Sequence, residues 1–544
     1  MEVSSRSILS RSVTSRIGRA ALIVGGGILL SRVLGLVRDM VFASVLGANT
    51  FTDEYQVAFI IPDFLNYLLA GGYMAITFIP ILSRHLSNDD EEGGWAAFSA
   101  ILRPLTAGML IFVAVAMVMA RPVIDLIEPG FTAEQVDRAA HLTRIVLPAQ
   151  VFFVVGTLFM AVQYAKEKFF IPTLAPILYN VGIIAGGLLI QGDEPSPDGF
   201  AWGVLGGAIV GNFLIQWYGA HQAGLRIQLG GSWRDPALKE YFVLALPLML
   251  GQSLVLLDEQ LGRSFGSLAD SDGSISWLQY GRRTMLVPVG VIAQAAGVAA
   301  YPYFARLAVE GRVRTLAATM SAAVRRVVVL SVGATAALAA LSLPVITILY
   351  QRGDWTAADS AATAGTLLFF SLGIPLWGAQ QLYARGFYAQ RKMWTPVIIG
   401  TVATLVALPI YWGLLEAFGV SGLALASTVA LAGYTAALGF AWHRSTGWEY
   451  FGPIRRAIAR AVPIAALAGF GAWGTAELIM RSVDSITVGS VFAVLVGSAV
   501  LVAIVVAAVS AIGYIGVIGA PRADYADEPD TSAATAEEEL GPES

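Results

Sequence analysis

Three stretches of this chain, Ile171–Ile190, Val327–Tyr350 and Val488–Ile518, contain no charged side chain at all. Each reaches the roughly 20 residues that carry a helix across a hydrocarbon core. Runs of this length cannot be packed many times over into one water-soluble core. Composition agrees: 56% of the residues are hydrophobic and 13% are charged, where soluble domains carry about a quarter. The mean hydropathy is +0.68. The sequence therefore reads as an all-α polytopic membrane protein.

Hydropathy places about fourteen transmembrane helices, near 19–46, 54–83, 97–126, 139–164, 171–190, 200–221, 241–268, 274–306, 318–350, 358–389, 395–417, 419–443, 456–480 and 487–519. Several are long enough to require tilt or kinks. Pro62, Pro148, Pro288 and Pro375 lie inside spans and can supply the kinks. Ser4–Arg19 is basic and Ser-rich, like the start of a signal peptide. The apolar stretch after it contains Arg32 and Arg38 and lacks a cleavage site, so it reads as a tail followed by the first helix.

Lys and Arg fall in alternate loops. With the N-terminus in the cytosol, the inner segments hold Arg84, Lys166, Lys168, Arg306, Arg391, Lys392, Arg455 and Arg456, among others. The outer loops hold little beyond Arg121, Arg352 and Arg481. This is the positive-inside pattern, and it implies an even helix count with both termini cytosolic.

The chain also repeats itself. Tyr164-Ala165-x-x-Lys168-x-x-x-Pro172 returns 224 residues later as Tyr388-Ala389-x-x-Lys392-x-x-x-Pro396. Pro80-x-x-x-Arg84 returns 222 residues later as Pro302-x-x-x-Arg306. Two motifs with nearly one offset point to a duplicated six-helix unit, with both copies in the same orientation. The expected organisation is a tail at 1–18, an N-lobe at 19–222, a C-lobe at 238–446, two further helices at 455–519 and an acidic, disordered cytosolic tail at 520–544.

Charges inside spans cost on the order of 2.5–3.5 kcal/mol each on insertion scales, so each needs a reason. Glu259 and Arg263 stand i,i+4 on one helix and can neutralise each other. Arg103, Arg144 and Arg385 lie near helix ends, within reach of the interface. Arg32, Arg38 and Arg283 lie deeper. Two readings stand side by side for them: internal pairing, or a water-filled cationic site for phosphate oxygens, which the guanidinium fork binds in pairs. Asp258 shows no obvious partner in the neighbouring sequence and is a candidate ion-coupling site. With no cysteine and four scattered histidines, no metal site, disulfide or cofactor is expected.

Specific letters then add to the pattern. Ser31-Arg32-Val33-Leu34-Gly35-Leu36-Val37-Arg38-Asp39, Leu46-Gly47-Ala48, Thr52-Asp53, Val57-Ala58-Phe59, Pro62 and Phe78-Ile79-Pro80-Ile81-Leu82 resemble the MurJ (MviN) family of the MOP exporter superfamily. Trp277–Pro288, Tyr350-Gln351-Arg352-Gly353, Thr356-Ala357, Gly386-Phe387-Tyr388-Ala389-Gln390 and Thr395-Pro396 continue the resemblance. It implies a lipid II flippase, with two lobes around a cationic cavity and a lipid-tail groove formed by the last two helices. It further implies substrate-binding roles for Arg32, Arg38, Asp53 and Arg283. Where many members have an arginine pair followed by a glutamate, this chain has Asn66-Tyr67 and Gly71, which points to lipid II or another polyprenyl-pyrophosphate glycan.

The function expected is a transporter, not an enzyme, in the bacterial cytoplasmic membrane. It would flip a lipid-linked cell-wall precursor by alternating access, driven by the membrane potential or a coupling cation. The alternatives are export of another glycan lipid or small molecule, and a non-transporting scaffold of cell-wall synthesis. The expected partners are the lipid-linked glycan, membrane lipids and cell-wall synthesis proteins, with no nucleic acid.

Overall fold

The computed structural model describes residues 2–66, 73–190, 196–228, 236, 238–241, 255–269 and 271–512. All regular structure among these residues is helical. The chain divides into two compact units: Met1–Ser276 with Tyr350–Asp359, and Trp277–Leu349 with Ser360–Ser544.

In the first unit, α1 (Glu2–Leu46) leads to α2 (Thr50–Ala58) and α3 (Ile60–Leu65). These are followed by α4 (Tyr73–Ser87), α5 (Glu91–Ile127), α6 (Ala133–Val146), α7 (Ala149–Ala165), α8 (Phe170–Leu189), α9 (Asp198–Gly207), α10 (Ile215–Gln222) and α11 (Val255–Ser267). Phe78, Trp95, Phe98, Leu158 and Phe159 form its core, and the rings of Phe78 and Phe98 meet edge-on at 5.6 Å. Helices α8 and α9 touch backbone to backbone. A Cβ on Gly203 would stand 2.6 Å from the Gly182 carbonyl oxygen, and one on Gly186 would stand 2.4 Å from that of Gly199. Small residues at this spacing let membrane helices gain dispersion contact where no hydrophobic effect drives them together.

The segment Tyr350–Asp359 joins this unit through two left-handed glycines. The Asp354 N–H donates to the Ser44 carbonyl at the end of α1, at 3.1 Å. Gly47 (φ +66°) and Gly353 (φ +58°) make the close approach, and a Cβ on Gly353 would fall 1.9 Å from the Ser44 oxygen. No L side chain fits there.

The second unit contains most of α12 (Ser274–Val289), α13 (Ala295–Val309), α14 (Val313–Ala340), α15 (Ser342–Tyr350), α16 (Ala357–Ser371), α17 (Ile374–Ala389), α18 (Trp394–Thr446), α19 (Phe451–Ser482) and α20 (Ile486–Ile512); the first three residues of α12, the last of α15 and the first three of α16 belong to the first unit. Its core is built on Met320, Val324, Leu382, Phe387, Leu438, Trp442 and Ile454. Helix α18 is two helices, interrupted at Gly419 (φ +59°), close to the boundary expected between the eleventh and twelfth spans. Helix α19 buries an alanine stripe, Ala465, Ala468, Ala472 and Ala476, and exposes Leu467, Phe470, Trp473 and Leu478. An apolar exposed face of this kind is suited to lipid.

Pro62, Pro148, Pro288 and Pro375 stand at or next to breaks, whereas Pro104, Pro176, Pro409 and Pro463 lie inside continuous stretches of helix. Pro62 lies in α3, just after the break at Phe59. Pro148 separates α6 from α7, and Pro288 precedes a π-helical turn at Gly290–Gln294. Pro375 opens α17 at a 42° bend from α16.

Eight described helices are long and apolar enough to cross a membrane, or nine if the bent α16–α17 pair is one span. One of them, Trp394–Thr446, contains two of the expected spans. The first, second, seventh and eighth expected spans do not reach this standard among the described residues. The first and eighth carry Arg32, Arg38 and Asp39, and Arg282 and Arg283; the second and seventh are described only in part. These four are the first two helices of each copy of the repeat, so intramembrane charge is concentrated at equivalent places.

Three differences from the sequence reading are local. Residues 2–18, expected as a tail, continue α1 as helix. Helix 2 is broken at Phe59 rather than continuous. Helix α11, expected to open the C-lobe, is grouped with the first unit, where Gln260 and Arg263 hydrogen-bond to Glu128 and Asp63. The acidic tail, residues 520–544, lies outside the described residues.

Replacing Gly203 by Leu drives a side chain into the α8 backbone. Overpacking of this kind costs about 1–3 kcal/mol. The purified variant is expected to melt several degrees below the parent in detergent, and an unchanged melting temperature would contradict the α8–α9 contact.

Candidate functional site

Helix α1 carries two of the predicted residues. Arg32 is exposed and makes no hydrogen bond among the described residues. Arg38 is held on two sides. Its Nε and Nη2 donate to Asp39 Oδ1 at 3.1 and 2.8 Å, and its Nη1 donates to Asn180 Oδ1 on α8 at 3.2 Å. The Arg38 side chain retains 25% exposure, so its guanidinium is fixed in orientation without being sealed. Asn180 is itself fixed, its amide donating to the Pro176 carbonyl at 2.8 Å. A paired but accessible arginine suits an anion site, since the pair orients the fork while the remaining N–H groups stay available.

Asp53 occupies a different position. It is buried, with 6% exposure, and it accepts the backbone N–H groups of Ser276 at 2.8 Å and Ile275 at 3.3 Å. The neighbouring hydroxyls of Ser276 and Thr52 are 3.0 Å apart. Its carboxylate thus caps the first turn of α12, satisfying amides that a helix N-terminus leaves open. Arg282 and Arg283 lie further along α12, in the second unit. Arg282 is buried and Arg283 half-buried, with its guanidinium 5.9 Å from the Tyr280 ring centroid.

Asp258 is half-buried in the first turn of α11. One turn on, Arg263 donates to Glu259 at 2.6 Å, the i,i+4 pair expected from spacing, and also reaches Asp63 at 3.4 Å. Asn66 follows the last turn of α3 and is half-buried. Tyr67 and Gly71 lie outside the described residues.

Three features escaped the sequence reading. Asn180 interrupts the charge-free run Ile171–Ile190, and an amide in mid-span was a usable signal. Glu54, whose side chain is fully buried, takes Arg138 through both carboxylate oxygens at 2.7–3.0 Å. With Phe51, Glu134, His141 and Asp198 this pair lines a cleft of about 500 Å3, which includes none of the predicted site residues. Glu128, just beyond the end of α5, is 1% exposed and accepts from Gln260 at 3.1 Å, while its other oxygen has no partner.

Comparison with known proteins gives one family. The profile of the lipid II flippase MurJ family matches residues 42–497. A Haemophilus influenzae protein named probable lipid II flippase MurJ is 30% identical over 425 residues, covering 74% of this chain and 81% of its own. A solved structure of lipid II flippase MurJ in an inward closed conformation superposes with a TM-score of 0.72 at 21% identity, covering 90% of this chain and 99% of that one. An inward-facing MATE family multidrug resistance transporter of the MOP superfamily gives a TM-score of 0.62 at 16% identity, covering 76% and 94%. At these identities the two structures speak for the fold.

Burial raises the Glu128 carboxyl from the ordinary 4.5 to about 8, against the opposing effects of the Gln260 hydrogen bond, the Arg263 charge and Ser267. The folded protein therefore keeps a proton that the unfolded chain releases above about pH 4.5. Glu128 costs nothing below that pH, and its penalty grows as pH rises toward 8. Glu128→Gln should melt with the parent at pH 4.5 and above it at pH 8.5; parallel melting at both would refute the assignment.

Proposed function

Because the chain belongs to the lipid II flippase MurJ family, we propose that it moves a polyprenyl-pyrophosphate-linked cell-wall precursor, lipid II or a close analogue, from the inner to the outer leaflet of the bacterial cytoplasmic membrane. The observation that carries this reading beyond family membership is Arg38: a guanidinium inside the first span, oriented by Asp39 and Asn180 and still accessible. Arg32 is a turn and a half away on the same helix. Arg283 supplies a further charge on the second helix of the other copy of the repeat.

The chemistry asked of these residues is modest. A pyrophosphate crossing the bilayer must exchange water for other donors, and arginine offers paired N–H groups that stay charged at any pH. The polyprenyl tail needs no carrier, since it stays in lipid, and the apolar exposed faces of α19 and α20 suit it. Alternating access then requires only that the headgroup site open to one side at a time.

Net flux needs a bias. Each charge moved through the membrane potential contributes about 2.3 kcal/mol per 100 mV, so arginines that shift during the cycle are one source. A cation exchanged at Asp258 is another. Within this function Asp53 acts by anchoring the start of the helix that bears Arg283, so we assign it a positioning role.

A second reading, flipping of a different polyprenyl-linked glycan, rests on Asn66, a departure from the arginine that the family resemblance leads one to expect there. It changes the headgroup and leaves the mechanism intact.

Hydrogen bonds to a charged group are worth about 1.5–3 kcal/mol, so losing one arginine should weaken substrate capture about tenfold to a hundredfold. Expressed in cells depleted of their own flippase, the parent should restore growth, and Arg32→Ala, Arg38→Ala and Arg283→Ala should each fail at normal membrane levels. Full growth with any of the three removes that residue from the transport function. Failure of the well-expressed parent together with growth on a different lipid-linked glycan would favour the second reading.

A further inference from the structure

A second arginine lies where no substrate role has been assigned to it. Arg325 is on α14, where Ser321, one turn earlier, donates to the Tyr450 carbonyl at 2.6 Å. This fixes α14 against the start of α19, and Val324 and Ile454 pack into the same core. Arg325 is 7% exposed. Its Nε has no hydrogen-bond partner, and no carboxylate pairs with it among the described residues. The charges that act on it are those of Arg326 and Arg456, both exposed and both of its own sign.

A buried ion without a counter-ion is strongly unfavourable, and arginine does not escape by losing its proton. Two like charges beside it make matters worse. A bound anion would answer all three charges.

We propose that Arg325, Arg326 and Arg456 form a binding site for a phosphate-bearing anion at the junction of α14 and α19. Position selects the source. Arg325 stands two residues before the charge-free run Val327–Tyr350 begins, and Arg456 lies one turn before Arg460, after which the uncharged body of α19 begins at Ala461. Both therefore lie at the edge of the hydrocarbon, at the level of lipid phosphates. The Lys/Arg bias reads this end as cytosolic, where anionic lipids draw basic clusters. The phosphodiester of an anionic phospholipid meets the geometry, with the buried fork taking its oxygens and the two exposed arginines closing over it; free phosphate offers the same oxygens from solution. This site is independent of the flippase reading, since it uses none of the residues assigned to transport.

The test uses the purified full chain in a neutral detergent, titrated separately with phosphatidylglycerol, phosphatidylcholine and inorganic phosphate. Thermal melting reports stabilisation and native mass spectrometry reports retained lipid. Phosphatidylglycerol should stabilise the parent and phosphatidylcholine should not, with half-maximal concentrations at least tenfold higher in Arg325→Met and partial recovery in Arg325→Lys. Should Arg325→Met not fold, the exposed double change Arg326→Gln with Arg456→Gln reads the same loss. Inorganic phosphate acting as strongly as the lipid, with the same dependence on Arg325, upholds the site and makes its ligand a soluble anion. Equal responses in parent and variants, or no response of the parent to any of the three, overturns it.

Discussion

Ionised groups held within a hydrocarbon slab must be answered by something, and the arrangement of this protein follows from how each is answered. Glu54 is answered by Arg138 through both oxygens, and Arg263 by Glu259 and Asp63. Arg38 is answered by one carboxylate and one amide, which orient it and leave part of it accessible. Removing either partner from a fully enclosed pair leaves a stranded charge and is costly. An arginine that is paired yet reachable can exchange part of its hydration for phosphate oxygens. In side-chain exposure Arg38, at 25%, differs from the sealed Arg263, at 6%.

The scaffold that holds these groups depends on close helix approach rather than on large side chains. Gly182, Gly186, Gly203 and Gly207 bring α8 against α9, and α8 is the helix that presents Asn180 to Arg38. The left-handed Gly47 and Gly353 tie the end of α1 to the segment Tyr350–Asp359. Asp53 fixes the first turn of α12. Each device positions a charged helix: α1 by two contacts and α12 by one.

Much of this was legible in the amino-acid order. The all-helical membrane class followed from charge-free runs, the kink sites from in-span prolines, and the Glu259–Arg263 pair from its spacing. What escaped was what hydropathy cannot weigh. Asn180 sits in a run that reads as purely apolar. The resemblance implies a substrate role for Asp53, and its backbone-amide partners, more than 200 residues away, have no sequence signature. Arg325 lies just before the charge-free run Val327–Tyr350, and only its burial sets it apart. In helix 2, Pro62 signals a kink but not that the helix breaks three residues earlier, at Phe59.

The account's central claim is that oriented, accessible arginines carry a pyrophosphate headgroup through the bilayer. The most direct measurement is leaflet accessibility in vesicles: purified chain is reconstituted with fluorescent lipid II, and a membrane-impermeant quencher is added outside. With the protein present, the protected inner pool should become accessible over minutes, and replacing Asn180 by Leu, which leaves Arg38 charged but frees its orientation, should slow this severalfold. An inner pool that stays protected as fully as in protein-free vesicles, with the chain shown to be folded and inserted, would contradict the claim.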